Sequence, residues 1–490
     1  MMKTLKRLII GLLILIVALV VALVVNTARQ GSRQVTVEPL PKLAVDEAGV
    51  AARLSAAVRH ITVSLDGQPQ ANAPAIEAFQ AQLRQDYPKL HAALKLERIG
   101  TSLLYTWAGS DAKAEPILLM AHQDVVPIAP GTEKDWTEPP FSGVIKGGYV
   151  WGRGSWDDKG NLISQMEAIE MLVASGYQPR RTVYLAYGDD EESGGAGAQA
   201  IVKVLKERGV RLGFVLDEGL LITDGLVPGL KAPAALIGVA EKGYLSLRLT
   251  ATATPGHSSM PPPVGQSAIA LLASAVRRVD EQQMPGGLRG VAGDSFANLA
   301  PEMSGLPRLA LTNLWLFGPV IERQLSAGAS TNAMLRTTTA PTIFNAGNKE
   351  NVLPGRAEAT INFRLLPGDS VDTVVAHVRK AVADERITVT VLPGAQEASP
   401  VSPSTAAGYL AIERSVREVF PGTLVAPGLM IGAADARFYT AVSDKVYRFS
   451  PVLAKAEDLP RFHGTNERLS TANLADMVRF YHRLVSQAAQ

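Results

Sequence analysis

Thr182-Val183-Tyr184-Leu185-Ala186-Tyr187 runs directly into Gly188-Asp189-Asp190-Glu191-Glu192-Ser193-Gly194-Gly195. The first half is short, apolar and rich in aromatic residues, and it reads as a buried strand. The second half sets four carboxylates in a row. A run of acids is ordinarily a solvated loop. Here the preceding strand delivers it to the C-terminal edge of a parallel sheet, where α/β proteins place their sites. Like charges packed at such an edge repel unless a cation or protons neutralise them. The run therefore poses the question of its counter-ion.

Composition narrows the answer. The chain has 490 residues, 47% hydrophobic and 19% charged, with a net charge of +2. That length allows two or three domains. The small net charge gives no field that would favour nucleic acid. There are no cysteines, which excludes disulfides, a thiol nucleophile and thiolate metal sites. A transition metal would have to be held by His, Asp and Glu. Leu8 to Val25 is an unbroken apolar or glycine run preceded by Lys3, Lys6 and Arg7. It reaches the length that spans a bilayer, and the preceding charges keep the N-terminus in the cytoplasm. Residues 1–28 are expected to be a membrane anchor, with a cleaved signal peptide as the alternative. In both cases the catalytic body is expected outside the cytoplasm, periplasmic or extracellular.

Residues 29–46 read as a polar linker. From residue 47 to 240 short buried strands alternate with amphipathic helices. Examples are the strand Pro116–Ala121, the hairpin about Gly147-Gly148, the helix Asp158–Ser175 and the strand Leu212–Leu216. This alternation predicts an α/β domain with a mostly parallel sheet. The pattern changes over 241–397. Tyr244 to Thr252 alternates apolar with polar, a helix follows about Ser267–Val279, and a Gly/Pro-rich stretch reaches Pro307. Strand-like runs then cover Thr331–Thr342 and Arg356–Leu366. This segment reads as an inserted α+β lid, after which 398–490 completes the α/β domain.

Several acidic or His-bearing segments share one placement. His122 with Asp124, Glu191 with Glu192, and Asp217 each follow a predicted strand. Asp157 precedes a helix in Gly152-Arg153-Gly154-Ser155-Trp156-Asp157-Asp158-Lys159-Gly160, where a helix N-cap is the simpler role. His463 lies in the loop before the last helix. Singly each has a structural explanation. Together, two imidazoles and several carboxylates at strand ends form the donor set of a borderline divalent ion.

The order His122-x-Asp124, Gly152-Arg153-Gly154-x-x-Asp157-x-Lys159-Gly160, Asp190-Glu191-Glu192, Asp217-Glu218-Gly219 and His463-Gly464 resembles the M20 metallopeptidase family. Thr331-Asn332-Ala333, Asn351-Val352-x-Pro354 and His463-Gly464-x-Asn466-Glu467 resemble its carboxypeptidase S and N-fatty-acyl-amino-acid hydrolase branch. The resemblance covers roughly residues 50 to 485. It implies two Zn2+ bridged by Asp157, one completed by His122 and Asp217, the other by Glu192 and His463. It further implies Glu191 as general base and Asp124 as the group that orients His122. His257, in Gly256-His257-Ser258-Ser259, would stabilise an oxyanion, often across a dimer interface formed by the lid. Arg364 would clamp a substrate carboxylate, with Asn332 nearby.

Two positions depart from the family pattern. Asp189 stands where a His is expected, and Ala434 replaces a Thr in Gly432-Ala433-Ala434-Asp435-Ala436-Arg437. The implied activity is hydrolysis of N-acyl amino acids, or of the C-terminal peptide bond of small peptides. The reverse condensation of a fatty acid with an amino acid is the alternative within enzymes. A non-catalytic binding protein on the same fold is the alternative outside them.

Overall fold

The computed structural model describes residues 2–490 apart from Pro39, Asp66, Pro69 and Pro228. Its main strands are β1 (Lys95–Ile99), β2 (Ser102–Trp107), β3 (Ile117–His122), β4 (Val183–Gly188), β5 (Phe214–Thr223), β6 (Ala234–Glu241), β7 (Gly243–Thr252), β8 (Thr338–Ala346), β9 (Arg356–Leu365), β10 (Ile387–Val391), β11 (Leu424–Met430) and β12 (Val446–Ala454). Eight of them form one sheet in the order β1-β2-β4-β3-β5-β12-β6-β11. The pairings of β3 with β4 and β5, of β5 with β12 and of β6 with β11 are parallel. The edge pair β1–β2, the junction β2–β4 and the β12–β6 contact are antiparallel. The sheet is thus mixed and mostly parallel. Every residue of β3 and β4 is buried, because helices cover both faces. One face packs on the helices Lys159–Ala174 and Thr471–Ala488. The other packs on Ala196–Glu207 and the 3-10 turn Asp435–Ala441.

A second sheet, β8-β9-β7-β10, is antiparallel throughout. In β9 the alternation is clean: Ala357, Ala359, Ile361, Phe363 and Leu365 are buried against Ala268–Glu281 and Val371–Val382. Burying a side chain such as Phe363 contributes about 1.5–3 kcal/mol. Ser267 caps the first of these helices by accepting from Ala270 N at 3.3 Å, and Ser370 opens the second in a reciprocal box with Thr373. The two cores are separate clusters.

Three readings of the sequence are corrected by the structure. The Gly/Pro-rich stretch is helical, in the segments Gly290–Leu299, Gly305–Leu311 and Leu314–Leu325. Pro301 and Pro307 sit in first turns, where the missing N–H costs nothing. Thr331 lies in the helix Ala329–Leu335, and the strand begins only at Thr338. The strand expected to stop at Leu216 continues through the acids to Thr223. The segment between Arg29 and Glu47 carries no helix or strand among its described residues and lies on the body: Gln34 Nε2 donates to Val425 O at 2.9 Å and Gln34 Oε1 accepts from Val425 N at 2.7 Å. β11 is an edge strand, and this side-chain amide satisfies backbone groups that a neighbouring strand would otherwise take.

The N-terminal helix Met2–Arg29 contains an 18-residue window of mean hydropathy 3.6, of which 6% is buried. By length and composition it can cross a membrane.

The chain passes between the two sheets at Gly243. Tyr244 exchanges both backbone hydrogen bonds with Gln396, each at 2.8 Å, so the outgoing and returning segments run side by side. A Cβ on Gly243 would lie 2.5 Å from both Ala398 N and Gln396 O. Backbone cannot yield as a flexible side chain can. Gly243→Ala is expected to destabilise by about 1–3 kcal/mol, seen as a lower midpoint in urea unfolding; an unchanged midpoint would show that the crossing has slack.

Candidate active site

The acid run after β4 divides according to the donors each acid meets. Asp189 accepts hydrogen bonds from the Thr101 and Ser102 hydroxyls at the β1–β2 turn. This accounts for the acid that stands where a His was expected. Asp190 accepts from Ala196 N at 2.9 Å and Gly197 N at 2.8 Å, satisfying the free amides at the start of the next helix. Glu191 and Glu192 donate their backbone N–H groups to Asp124 Oδ1 and Oδ2, each at 3.2 Å. The Asp124 carboxylate therefore fixes the loop from beneath. The same carboxylate lies 3.3 Å from His122 Nδ1, which is also 3.0 Å from Asp124 O. An imidazole held at Nδ1 presents Nε2 outward.

That nitrogen faces Asp157 Oδ1 at 3.0 Å, and the other oxygen of Asp157 faces His463 Nε2 at 2.7 Å. One buried carboxylate thus lies between two imidazoles. His463 Nε2 also stands 3.3 Å from Glu192 Oε1. The ligand atoms of His122, Asp157 and Glu192 lie within 4.8 Å of one another, as do those of His122, Asp158 and Glu218.

Asp217 is not in either group. Its Oδ1 accepts from Glu218 N at 2.9 Å and its Oδ2 from Ala436 N at 2.8 Å. Glu218 approaches His122 instead, with Oε1 3.8 Å from Nε2. The cause is a bulge. Arg448 of β12 pairs with Asp217 while its neighbour Phe449 pairs with Leu220. Glu218 and Gly219 are the extra residues, and a bulge re-aims the side chain it carries. Gly219 has φ 141° and packs against Arg448, where a Cβ would lie 2.9 Å from that of the arginine.

Electrostatics sharpen the arrangement. Burial pushes the carboxyls of Glu191 and Glu218 well up, with His122 opposing and neighbouring acids adding. Burial also raises Asp217 to about 6, its two backbone donors notwithstanding. Burial alone would lower His463, yet its hydrogen bond to Asp157 and its ion pair with Glu192 push it up to about 10. Asp157 moves the opposite way: the imidazoles overcome burial and hold it well below the usual range. Carboxylates exceed imidazoles, and Glu192 Oε1, 3.3 Å from His463 Nε2, is buried without a hydrogen bond of good geometry among the described residues. An orphaned carboxylate oxygen among imidazole nitrogens and further carboxylates fits a divalent cation, and with no thiolate in the chain the donor set suits zinc.

The remaining expected residues lie on the second sheet and beside it. His257 is exposed, its Nδ1 bonded to Ser259 Oγ at 2.8 Å, on a short strand paired with Val352. Arg364 stacks over Tyr244, 5.0 Å from the ring centre. Asn332 is half-buried in the helix Ala329–Leu335. Lys242 was not singled out in the sequence. Its Nζ donates to Ala333 O and Arg336 O at 2.9 and 2.8 Å, and burial, with the Arg364 charge, lowers it to about 8. Lys242, Arg364 and the end of the Asn332 helix thus form one cationic corner. Its only sequence signal was a lysine next to the domain crossing.

Glu467 and Arg153 were quoted as motif residues without roles. Both are buried and lie 2.6 Å apart. Glu467 Oε1 accepts from Gly154 N, Trp156 N and Asp157 N at 2.9, 2.9 and 3.1 Å, and Arg153 Nη2 donates to His463 O at 3.1 Å. The pair ties the Asp157 loop to the His463 loop. Removing one partner strands the other charge. Glu467→Ala is expected to cost about 3–5 kcal/mol in urea unfolding of metal-stripped protein. Adding Arg153→Met should cost less than the sum of the single changes; strict additivity would show that the two side chains do not act together.

Comparison with known proteins gives the same assignment. Peptidase family M20/M25/M40 matches residues 118–487. The chain is 41% identical to the N-fatty-acyl-amino acid synthase/hydrolase PM20D1 of Xenopus tropicalis over 441 residues, covering 89% of this chain and 85% of that one. It is 39% identical to the probable carboxypeptidase S-like 2 of Dictyostelium discoideum over 493 residues, covering 98% and 93%. In fold it resembles the M20 family metallo-carboxypeptidase Sso-CP2 from Sulfolobus solfataricus, with TM-score 0.63, 17% identity and 91% and 100% coverage. Sequence, fold and donor set together place this chain in the M20 peptidase family, as a hydrolase of the metallopeptidase type.

Proposed function

We propose that this protein is a two-zinc hydrolase that cleaves the amide bond of N-acyl amino acids, or the C-terminal peptide bond of short peptides. The observation that carries the reading is the Asp157 carboxylate set between His122 and His463, with Glu191 on the same loop as Glu192. Asp157 would be shared by both ions, with His122 and Glu218 completing one set and Glu192 and His463 the other. Bound there, zinc would supply Lewis-acid polarisation of the scissile carbonyl and a lowered pKa for water.

The chain's own groups do the rest. Burial and neighbouring acids raise the carboxyl of Glu191, so it can accept a proton from the attacking water and return it to the departing amine. Asp124 keeps His122 in one orientation and holds the loop that presents Glu191. Arg364, beside Lys242, would receive the substrate carboxylate with its planar fork. His257 is exposed, and it would serve as an oxyanion donor from the lid of a second copy in a homodimer. The helix Met2–Arg29 would anchor the protein, with Lys3, Lys6 and Arg7 inside and the catalytic body outside the cytoplasm. The printed name of the Xenopus tropicalis relative includes synthesis. Microscopic reversibility allows the same groups to run the condensation when fatty acid and amino acid are abundant.

Two experiments test this reading. Glu191→Gln should lower kcat on N-acyl amino acids and dipeptides by about 10²–10⁴-fold while zinc content stays at that of the unaltered protein. Wild-type turnover in that variant would end the proposed mechanism. Metal analysis separates the two neighbouring acids. Glu218→Ala should lower bound zinc, whereas Asp217→Asn should retain it and lose about 1–3 kcal/mol of stability through an unpaired backbone donor. The opposite pattern would return the ligand role to Asp217.

A further inference from the structure

The helix Leu314–Leu325 reads Leu-Trp-Leu-Phe-Gly-Pro-Val-Ile-Glu-Arg-Gln-Leu, and none of its residues is buried. Trp315 is 63% exposed and Val320 65%; Leu306, in the preceding helix Gly305–Leu311, is 78% exposed. Scattered exposed apolar residues are ordinary, but a helix of this composition with no buried residue is not. From Leu309 to Ile321 the chain carries no charge. Arg308 stands at one end of this run and Glu322 and Arg323 at the other.

The position of the run identifies what covers it. The turn between the two helices, Thr312-Asn313, is bound to the end of the apolar N-terminal helix. Asn26 Nδ2 donates to Thr312 O at 2.8 Å and to Asn313 Oδ1 at 3.0 Å, and Gln30 Nε2 donates to Thr312 O at 2.8 Å. Asn313 Nδ2 reaches back to Leu23 O at 3.3 Å, and Leu23 is the one buried residue of the N-terminal helix among those described. At about 1.5 Å per residue, Arg7 and Arg29 lie about 33 Å apart along that helix, close to the thickness of a hydrocarbon core. Asn26 and Thr27 then fall about 3–5 Å inside Arg29. The Thr312-Asn313 turn is fixed at that depth, so its flanking apolar side chains meet the same boundary. A tryptophan at such a boundary has its ring in the apolar layer and its N–H at the polar edge; here Trp315 Nε1 donates to Asn313 Oδ1 at 3.2 Å.

We infer that residues 305–325 form an interfacial helical pair that seats the catalytic body on the outer leaflet of the bilayer, beside the membrane-spanning helix. The inference rests on the anchor reading above. The pair is a second, in-plane attachment: the spanning helix tethers the body, and the pair sets its orientation. A pair carrying Leu306, Trp315, Leu316 and Val320 outward buries these side chains among acyl chains while Arg308 and Arg323 remain at headgroup level.

Tryptophan fluorescence of the full chain in phosphatidylcholine vesicles tests it. Of the five tryptophans, Trp107, Trp136 and Trp156 are buried in the body. Lipids brominated near the headgroup end of the acyl chain should quench part of the emission, and Trp315→Phe should abolish most of that quenching. If the chain floats with the vesicles but quenching is the same in Trp315→Phe, the spanning helix stands and the interfacial pair is overturned. If the chain does not float, the anchor reading itself fails and the inference falls with it. A vesicle-bound chain whose Trp315 is shielded but unquenched, with doubled mass in detergent, would overturn the inference in favour of a face between two copies.

Discussion

Glu467 lies between two loops that meet only in the folded chain. One of its oxygens takes the N–H groups of Gly154, Trp156 and Asp157, and the other faces Arg153. Arg153 in turn holds the carbonyl of His463. Buried backbone donors need acceptors, and a single carboxylate satisfies three of them while neutralising the Arg153 guanidinium. Asp157 and His463 inherit their positions from this network. Replacing the pair with apolar groups would have to leave those amides unsatisfied, which explains why charge is retained in so enclosed a place.

The acid run illustrates how environment assigns roles to identical chemistry. Asp189 and Asp190 find hydroxyl and amide donors and become structural. Glu191 and Glu192 give their amides to Asp124, and their side chains are left to the cluster of imidazoles and acids. Burial then raises the charge cost of each carboxylate in that cluster. A shifted carboxyl beside a cation-binding set is a usual mark of catalysis. The same excess of acid that destabilises the bare site fits a divalent ion.

Elsewhere the molecule uses polar side chains to hold apolar geometry. Gln34 completes the hydrogen bonding of an edge strand and thereby lays the residues after the N-terminal helix along the body. Asn26, Gln30 and Asn313 fix that helix to the turn at Thr312. These contacts make the direction of the helix a property of the folded domain and not of a flexible tether. The two sheets, in contrast, communicate through the narrow crossing at Gly243 and Gln396, which leaves each with its own core.

Much was legible from local pattern. The buried runs at β3 and β4, the alternation in β9, the α/β character and the segments bearing His122, Asp157, Glu192 and His463 all follow from short-range periodicity and residue type. The helices between 290 and 325 were hidden because Gly290, Pro301, Gly305 and Pro307 occupy starts and first turns, where they cost little, and Pro319 lies inside a helix, while their frequency suggests loop. Lys242 was hidden because its partners are backbone carbonyls of a distant helix. The different directions of Asp217 and Glu218 show the limit most clearly. By itself the sequence determined that a buried strand would lead into the acids of Asp217-Glu218-Gly219, since strand propensity and charge are local properties. Only the tertiary structure decided where each acid points, because the bulge exists in the register of β5 against β12, a pairing between distant segments that no local pattern encodes.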